Sequence, residues 1–234
     1  MACRWLLPPR CLICRESGAY GLDLCLNCTQ SLPWNHAACT RCGLPLPVPG
    51  ECGACLADPP PVTTTTAVFV YGFPLDRLVP RFKFHQDLAA GRLLAEMAAG
   101  PLGKAPRPEA LIPIPLHAHR LRERGYDQAL ELARPLARAL SLPLHADRLV
   151  RHRATAAQSE LHADARKRNV ARAFGIAGTA SLPAHVALLD DVMTTGATLH
   201  AAARTLHAAG VRRVDAWVIA RVPWTRSAHQ GGPE

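Results

Sequence analysis

From residue 67 onward, short apolar runs alternate with longer stretches whose apolar residues recur at helical spacing. Residues 67–73 are apolar, β-branched and aromatic, which predicts a strand, and residues 110–115 predict another, short and buried. Between them, residues 87–99 carry Leu88, Leu93, Leu94 and Met97 at helical intervals. Residues 126–140 place Ala129, Leu132, Ala133, Leu136 and Leu140 on one stripe, a helix that Pro135 is expected to kink or divide. Residues 174–177, 186–189 and 214–221 predict three more strands. Residues 197–209 predict a helix with Leu199, Ala203 and Leu206 on one face, stopped by Gly210. Such alternation predicts an α/β domain: a largely parallel sheet flanked by helices on both sides.

The first quarter of the chain follows a different pattern. All nine cysteines lie between Cys3 and Cys55, and eight form four Cys-x-x-Cys pairs: Cys11/Cys14, Cys25/Cys28, Cys39/Cys42 and Cys52/Cys55. Ten, ten and nine residues separate successive pairs, which makes an internal repeat. Two residues between sulfurs let one backbone knuckle present both to a tetrahedral ion, so the pairs read as zinc ligands rather than disulfides. Consecutive pairing would join Cys11, Cys14, Cys25 and Cys28 in one site and Cys39, Cys42, Cys52 and Cys55 in another; spacing leaves an interleaved arrangement open. Four thiolates leave zinc no open position, so both sites would be structural, supplying folding energy to a segment too short for its own core. Cys3 has no partner in sequence. The expected organisation is a double zinc ribbon over residues 1–57, a Pro- and Thr-rich linker over 58–66, the α/β domain over 67–224 and a flexible tail over 225–234.

Composition narrows the picture. A chain of 234 residues that is 49% hydrophobic buries one core of ordinary size and is not fully disordered. No run approaches the ~20 apolar residues of a membrane-spanning helix, and the opening is too short to act as a secretion signal, so a cytoplasmic location is expected. Twenty-seven basic against 18 acidic residues give a formal charge of +9, which favours anionic partners such as phosphates or nucleic acid. Only Lys83, Lys104 and Lys167 are lysine; the remaining basic residues are arginines, whose forks suit bidentate phosphate contacts.

The chemistry concentrates in Val186-Ala-Leu-Leu-Asp190-Asp191-Val192-Met193-Thr194-Thr195-Gly196-Ala197-Thr198, which leads from the most apolar strand into a helix. Ligands of open α/β sheets bind at that strand edge. Adjacent carboxylates can accept hydrogen bonds from neighbouring sugar hydroxyls. Residues 194–198 offer amides and hydroxyls at a helix N-terminus, where unpaired donors and the dipole suit a phosphate, and Gly196 permits close approach. Together these features describe a ribose 5-phosphate site.

This stretch resembles the phosphoribosyl diphosphate (PRPP) signature of type I phosphoribosyltransferases. Ile112-Pro-Ile-Pro-Leu116, followed by Arg120-Leu-Arg122-Glu-Arg124-Gly125-Tyr126-Asp127-Gln128, resembles the ComF/GntX family, whose members also begin with a double zinc ribbon. Arg153-x-Thr155-x-x-Gln158, Leu161, Arg166-x-x-Asn169-Val170 and Ala173-Phe174 continue the likeness, which covers nearly the whole chain up to about Trp224. Asp127 departs from it, standing where the family's run carries Asn, and is expected to cap the following helix.

The resemblance implies a type I phosphoribosyltransferase fold that binds PRPP with Mg2+ and transfers the phosphoribosyl group to a nitrogen acceptor, whose identity no residue pattern indicates. Diphosphate would leave from an oxocarbenium-like carbon, with catalysis by placement and charge neutralisation. Asp190 and Asp191 would hold the ribose hydroxyls, directly or through metal-bound water, and Thr194, Thr195, Gly196, Ala197 and Thr198 would grip the 5-phosphate. Arg120, Arg122 and Arg124 would form the diphosphate loop, with Arg124 joining Asp190 and Asp191 as the catalytic set. Residues 151–172 resemble a flexible hood that excludes water, with Gln158, Arg166 and Asn169 as contacts. Lys83 reads as a snorkelling surface lysine, with phosphate contact as the alternative. The family's association with DNA uptake implies a second reading, a non-catalytic ribose-phosphate-binding accessory protein handling single-stranded DNA in natural transformation. An aromatic content of 5% supplies no obvious stacking platform for that role. A purely structural zinc adaptor would leave residues 190–198 without a purpose.

Overall fold

The computed structural model describes residues 8–152 and 173–223. Cys3, the segment 153–172 with Gln158, Arg166 and Asn169, and the tail lie outside these residues. Four strands form one sheet in the order β1 (Thr65–Val70), β6 (Arg213–Arg221), β5 (His185–Met193), β2 (Ala110–Pro113), every neighbouring pair parallel. Parallel strands need crossovers, and helices α3 (Leu75–Phe84), α4 (Leu88–Gly103), α5 (Ala118–Arg124), α6 (Gln128–Ala139) and α7 (Ala197–Ala208) supply them. One sheet face packs on α3, α4 and α6 through Ala187, Leu189, Phe82, Leu94 and Leu132. The other packs on α7 through Val186, Leu188, Val218, Leu199 and Ala203.

Several elements depart from their predicted form. The helix α6 runs undivided through Pro135, because Leu132, Ala133 and Leu136 on either side are fully buried in one core and hold both halves to it. The helix α3 was hidden from pattern reading by Pro80, although Leu75, Leu78, Val79 and Phe82 form a buried stripe. Residues 174–177 yield β4 (Phe174–Ile176), but it pairs antiparallel with β3 (Leu149–Arg151) in a separate two-stranded ribbon. The strand β5 extends well beyond 186–189, so Asp190 and Asp191 lie within it rather than past its end.

The cysteine-rich segment, with short helices α1 (Leu26–Gln30) and α2 (Gly53–Ala57), lies along the β1 side of the sheet. Its first ribbon shares the core: Cys11, Leu24, Cys25 and Leu32 pack with Val68, Leu75 and Phe82. Arg81 of α3 donates from Nη1 to the Leu12 carbonyl at 2.6 Å. The connection between ribbons covers the edge of β1, where Asn35 N donates to Val68 O, Val70 N donates to Pro33 O, and Trp34 stacks on Phe69 at 4.6 Å. The second ribbon meets the start of β1, which opens inside the stretch expected as linker: Thr65 Oγ1 donates to Arg41 O at 2.6 Å.

Candidate functional site

The carboxyl ends of the strands bring three segments together: residues 190–196 leaving β5, Arg221 at the end of β6, and the loop that follows β2. Successive strand residues face opposite sides, so the two carboxylates part company. Asp191, buried, turns to the α3 face, where Lys83 Nζ lies 2.9 Å from Oδ2 and 3.1 Å from Oδ1. Asp190 keeps partial solvent contact and, among the described residues, has no ion pair; its Oδ1 accepts from the Asp191 amide at 2.9 Å. Burial first, then the Asp191 carboxylate, pushes the Asp190 carboxyl up to about 7, against the pull of that amide and of Lys83. The contrast with Asp215 at the opposite end of the sheet is instructive. Asp215 is more fully buried, at 1% exposed, but answered by His185 at 2.7 Å and Arg213 at 3.1 Å, a closed structural cluster.

After Met193 the chain turns through exposed Thr194 and Thr195 into Gly196, whose φ of +79° glycine adopts without strain. A Cβ there would also lie 2.5 Å from Met193 Cε and 2.9 Å from His200 Nε2, ends of side chains that would have to shift, so the backbone angle is what favours glycine here. Gly196 caps α7 without a side-chain bond, and no acidic residue occupies the first turn. Ala197 N donates to Thr195 Oγ1 at 3.4 Å, a long contact that an anion can displace, and the helix dipole at this end suits one. Arg221, 7% exposed, pins the turn from below: Nη1 donates to the Met193, Thr194 and Val222 carbonyls, and Nε donates to Cys42 O at 2.9 Å.

Beside Lys83 a cavity of about 380 Å³ is lined by Phe84, Gln86, Arg120, Glu123 and Arg124. Arg120 and Arg124 sit on α5 rather than in an extended loop, one helical turn apart, so both face this space, while Arg122 lies on the exposed side. Arg124 is held by Gln128 Oε1 at 2.9 Å and stacks over the Phe84 ring at 5.2 Å. Asp127 fulfils its expected capping role, accepting from Leu130 N at 3.0 Å, and also fastens the β2 loop by accepting from Leu116 N at 2.7 Å. Burial raises its pKa despite these amides.

The eight paired cysteines resolve into two clusters by consecutive pairing: Cys11, Cys14, Cys25 and Cys28, and Cys39, Cys42, Cys52 and Cys55. Within each, all four sulfurs lie within 4.8 Å of one another, and none is in a disulfide. Tetrahedral zinc with bonds of about 2.3 Å sets its sulfurs about 3.8 Å apart. The closest pairs, Cys14 with Cys25 at 3.5 Å and Cys42 with Cys52 at 3.7 Å, fit that demand. Burial opposes ionisation of Cys11 and Cys39, yet surrounding main-chain amides outweigh it and hold these thiols down at about 6 and about 7. One thiolate per cluster is thereby favoured from the outset.

Comparison with known proteins finds two family matches along the chain. Residues 2–56 match the double zinc ribbon domain and residues 127–233 the phosphoribosyl transferase domain. The DNA utilization protein YhgH of Salmonella typhi is 35% identical over 227 residues, spanning 92% of this chain and 98% of its own length. The chain belongs to the ComF/GntX family. Competence protein F of Haemophilus influenzae is 34% identical over 222 residues, with 91% of this chain and 96% of the relative covered. Competence protein ComFC of Bacillus subtilis is 29% identical over 196 residues, covering 78% and 77%. Among the described residues, no helix is long and apolar enough to cross a membrane.

For this ComF/GntX chain the structure brings Asp190, Asp191, Thr194, Thr195, Gly196, Ala197 and Thr198 to one strand-to-helix turn, with Arg120 and Arg124 beyond Lys83. Lys83 is the residue that sequence reasoning placed at the surface. Its partner lies 108 positions away, and no local pattern announces the pair. Arg151, expected at the start of the flexible hood, instead ends strand β3. Burial and the charge of Arg120 lower its pKa while Asp190 opposes them, which sets it at the same site.

Proposed function

We propose that this protein binds PRPP at the turn between β5 and α7 and transfers its phosphoribosyl group to a nitrogen acceptor. The observation that carries the reading is the pairing of a helix N-terminus behind Gly196, with no acidic residue in its first turn, and a carboxylate, Asp190, that forms no ion pair among the described residues. The amides and hydroxyls of residues 194–198 would take the 5-phosphate and Asp190 the ribose hydroxyls. Lys83, Arg120 and Arg124, around one cavity, would take the diphosphate. Asp190 and Asp191 are oxygen donors of the kind Mg2+ prefers, and they would hold it. When bound, the ion neutralises charge on the departing diphosphate. The residues of this chain orient the sugar so that the C1–O bond breaks as the C1–N bond forms, with diphosphate leaving with the bonding pair.

The Lys83 contact gives the cycle a physical detail. In the free chain this lysine offsets the Asp191 carboxylate; an incoming diphosphate would compete for the same ammonium, freeing Asp191 for the sugar or the metal. A role in the use of incoming DNA is proposed from the relatives' names and from the charge of +9, which supports salt-sensitive attraction to nucleic acid. In the second reading that role needs binding without turnover. Calorimetric titration with Mg-PRPP tests the shared premise: wild type should bind, and an Asp190→Ala/Asp191→Ala double variant should lose at least about a hundredfold in affinity. Equal binding by the two proteins overturns the assignment. Release of diphosphate with a panel of amines and bases then separates transferase from binding protein.

A further inference from the structure

The phosphate turn borders a second cavity, of about 730 Å³, between the second ribbon, α7 and the end of β6. Thr194 and Thr195 form its boundary with the turn; Leu44, Ala54 and the three prolines of residues 59–61 form its walls. None of Asp190, Asp191, Lys83, Arg120 or Arg124 borders it, so it is distinct from the diphosphate cavity while sharing the phosphate turn.

Its lining specifies an occupant. Rigid apolar walls and a volume in the range of small-molecule pockets suit a flat ring system. Arg204 of α7 is exposed at the rim and, among the described residues, makes no hydrogen bond or ion pair. It is available to a phosphate oxygen. The lining also includes Asp58 and Cys42, Cys52 and Cys55 of the second cluster, a four-thiolate site that carries net negative charge once zinc is bound. That near balance disfavours a second phosphate deep in the cavity and suits a neutral heterocycle. His200, against Gly196, adds no charge: burial and the nearby Arg204 and Arg221 hold its pKa down at about 4.

We infer that the cavity holds the nucleoside of a ribose 5-phosphodiester, so that the phosphate seated at residues 194–198 continues through an ester to a second nucleoside instead of ending there. The inference rests on the reading of this turn as the 5-phosphate site. A terminal phosphate would leave the cavity to water, whereas an ester can run past Thr194 and Thr195 into it, with Arg204 beside the bridging oxygens. The shared chemistry, a ribose whose 5-phosphate is esterified to a second nucleoside, occurs in dinucleoside monophosphates and at the ribose end of a nucleic acid strand.

Calorimetry on the full zinc-loaded chain tests this with three probes: ribose 5-phosphate, a dinucleoside monophosphate joined 3′ to 5′, and a short oligonucleotide ending in a 3′ ribose. The dinucleoside monophosphate should bind wild type about tenfold more tightly than ribose 5-phosphate. Arg204→Ala, at an exposed position, and Ala54→Trp, which fills the cavity from an exposed residue of α2, should each erase that gain and leave ribose 5-phosphate affinity unchanged. A gain confined to the oligonucleotide, erased by the same variants, would support the inference and assign the ligand to strand ends. Ribose 5-phosphate binding with no gain from either esterified probe overturns the inference alone, as does a gain that survives both variants. Failure of ribose 5-phosphate to bind at all overturns the underlying phosphate-site reading as well.

Discussion

The two zinc ribbons present the same four-cysteine chemistry and are put to different uses. Around the first, Cys11 and Cys25 are buried in the main core, and Arg81 ties Leu12 to α3; its neighbours are helices and apolar side chains. The second reaches the turn between β5 and α7. The carbonyl of its ligand Cys42 accepts from Arg221, whose other donors hold the Met193 and Thr194 carbonyls. Identical coordination can therefore serve folding in one place and alignment in another, and what decides is the side chain that leaves the knuckle and where it goes.

The sharpest way to break this comparison is to remove one metal at a time. Cys52→Ser should release zinc from the second ribbon and weaken ribose 5-phosphate binding by about thirtyfold, whereas Cys14→Ser should release the first zinc with a change below about threefold. Zinc content and calorimetry on each variant check this; equal losses would erase the distinction. The first-ribbon variant should show its effect in the melting temperature instead.

A smaller effect isolates the connection itself. Arg221→Met removes the guanidinium while leaving both clusters intact, so several buried carbonyls lose their donor at a cost of about 3 kcal/mol in stability. Affinity for ribose 5-phosphate should drop about tenfold with zinc content unchanged. An unaltered affinity would show that the turn holds its shape without Arg221.

The mildest test uses pH to separate the turn from its carboxylate. Asp190 has a raised pKa, so the folded chain binds more protons than the unfolded one between about pH 4 and about pH 7, and its contribution to stability falls as pH rises through that window. On the proposed reading, Mg-PRPP needs the ionised form. Affinity should thus decline about threefold between about pH 7.5 and about pH 6.5, the ratio of ionised fractions around a pKa of about 7. The slope should vanish in Asp190→Asn and persist in Arg221→Met.

Much of this arrangement was legible in the chain. The apolar run into Asp190 and the break at Gly196 announce a strand-to-helix turn because both signals are local, and the Cys-x-x-Cys repeat announces metal because ligand spacing is local too. Their partners were not legible. Near-equal spacing could not decide between consecutive and interleaved pairing, since that depends on how the knuckles pack. The helix α5, with Arg120, Arg122 and Arg124, has little apolar stripe to reveal it and was taken for loop. Lys83 with Asp191, and Arg221 with Cys42, are joined across more than a hundred residues by folding alone.

The segment linking the ribbons has a consequence for how this architecture can be dismantled. By bonding to Val68 and Val70 it occupies hydrogen-bonding groups that β1 would otherwise offer to any passing strand. Cutting the molecule before β1 would hand a sticky template to its neighbours, so the amino-terminal quarter doubles as a built-in guard against self-association, and a shortened protein would precipitate before it could be assayed.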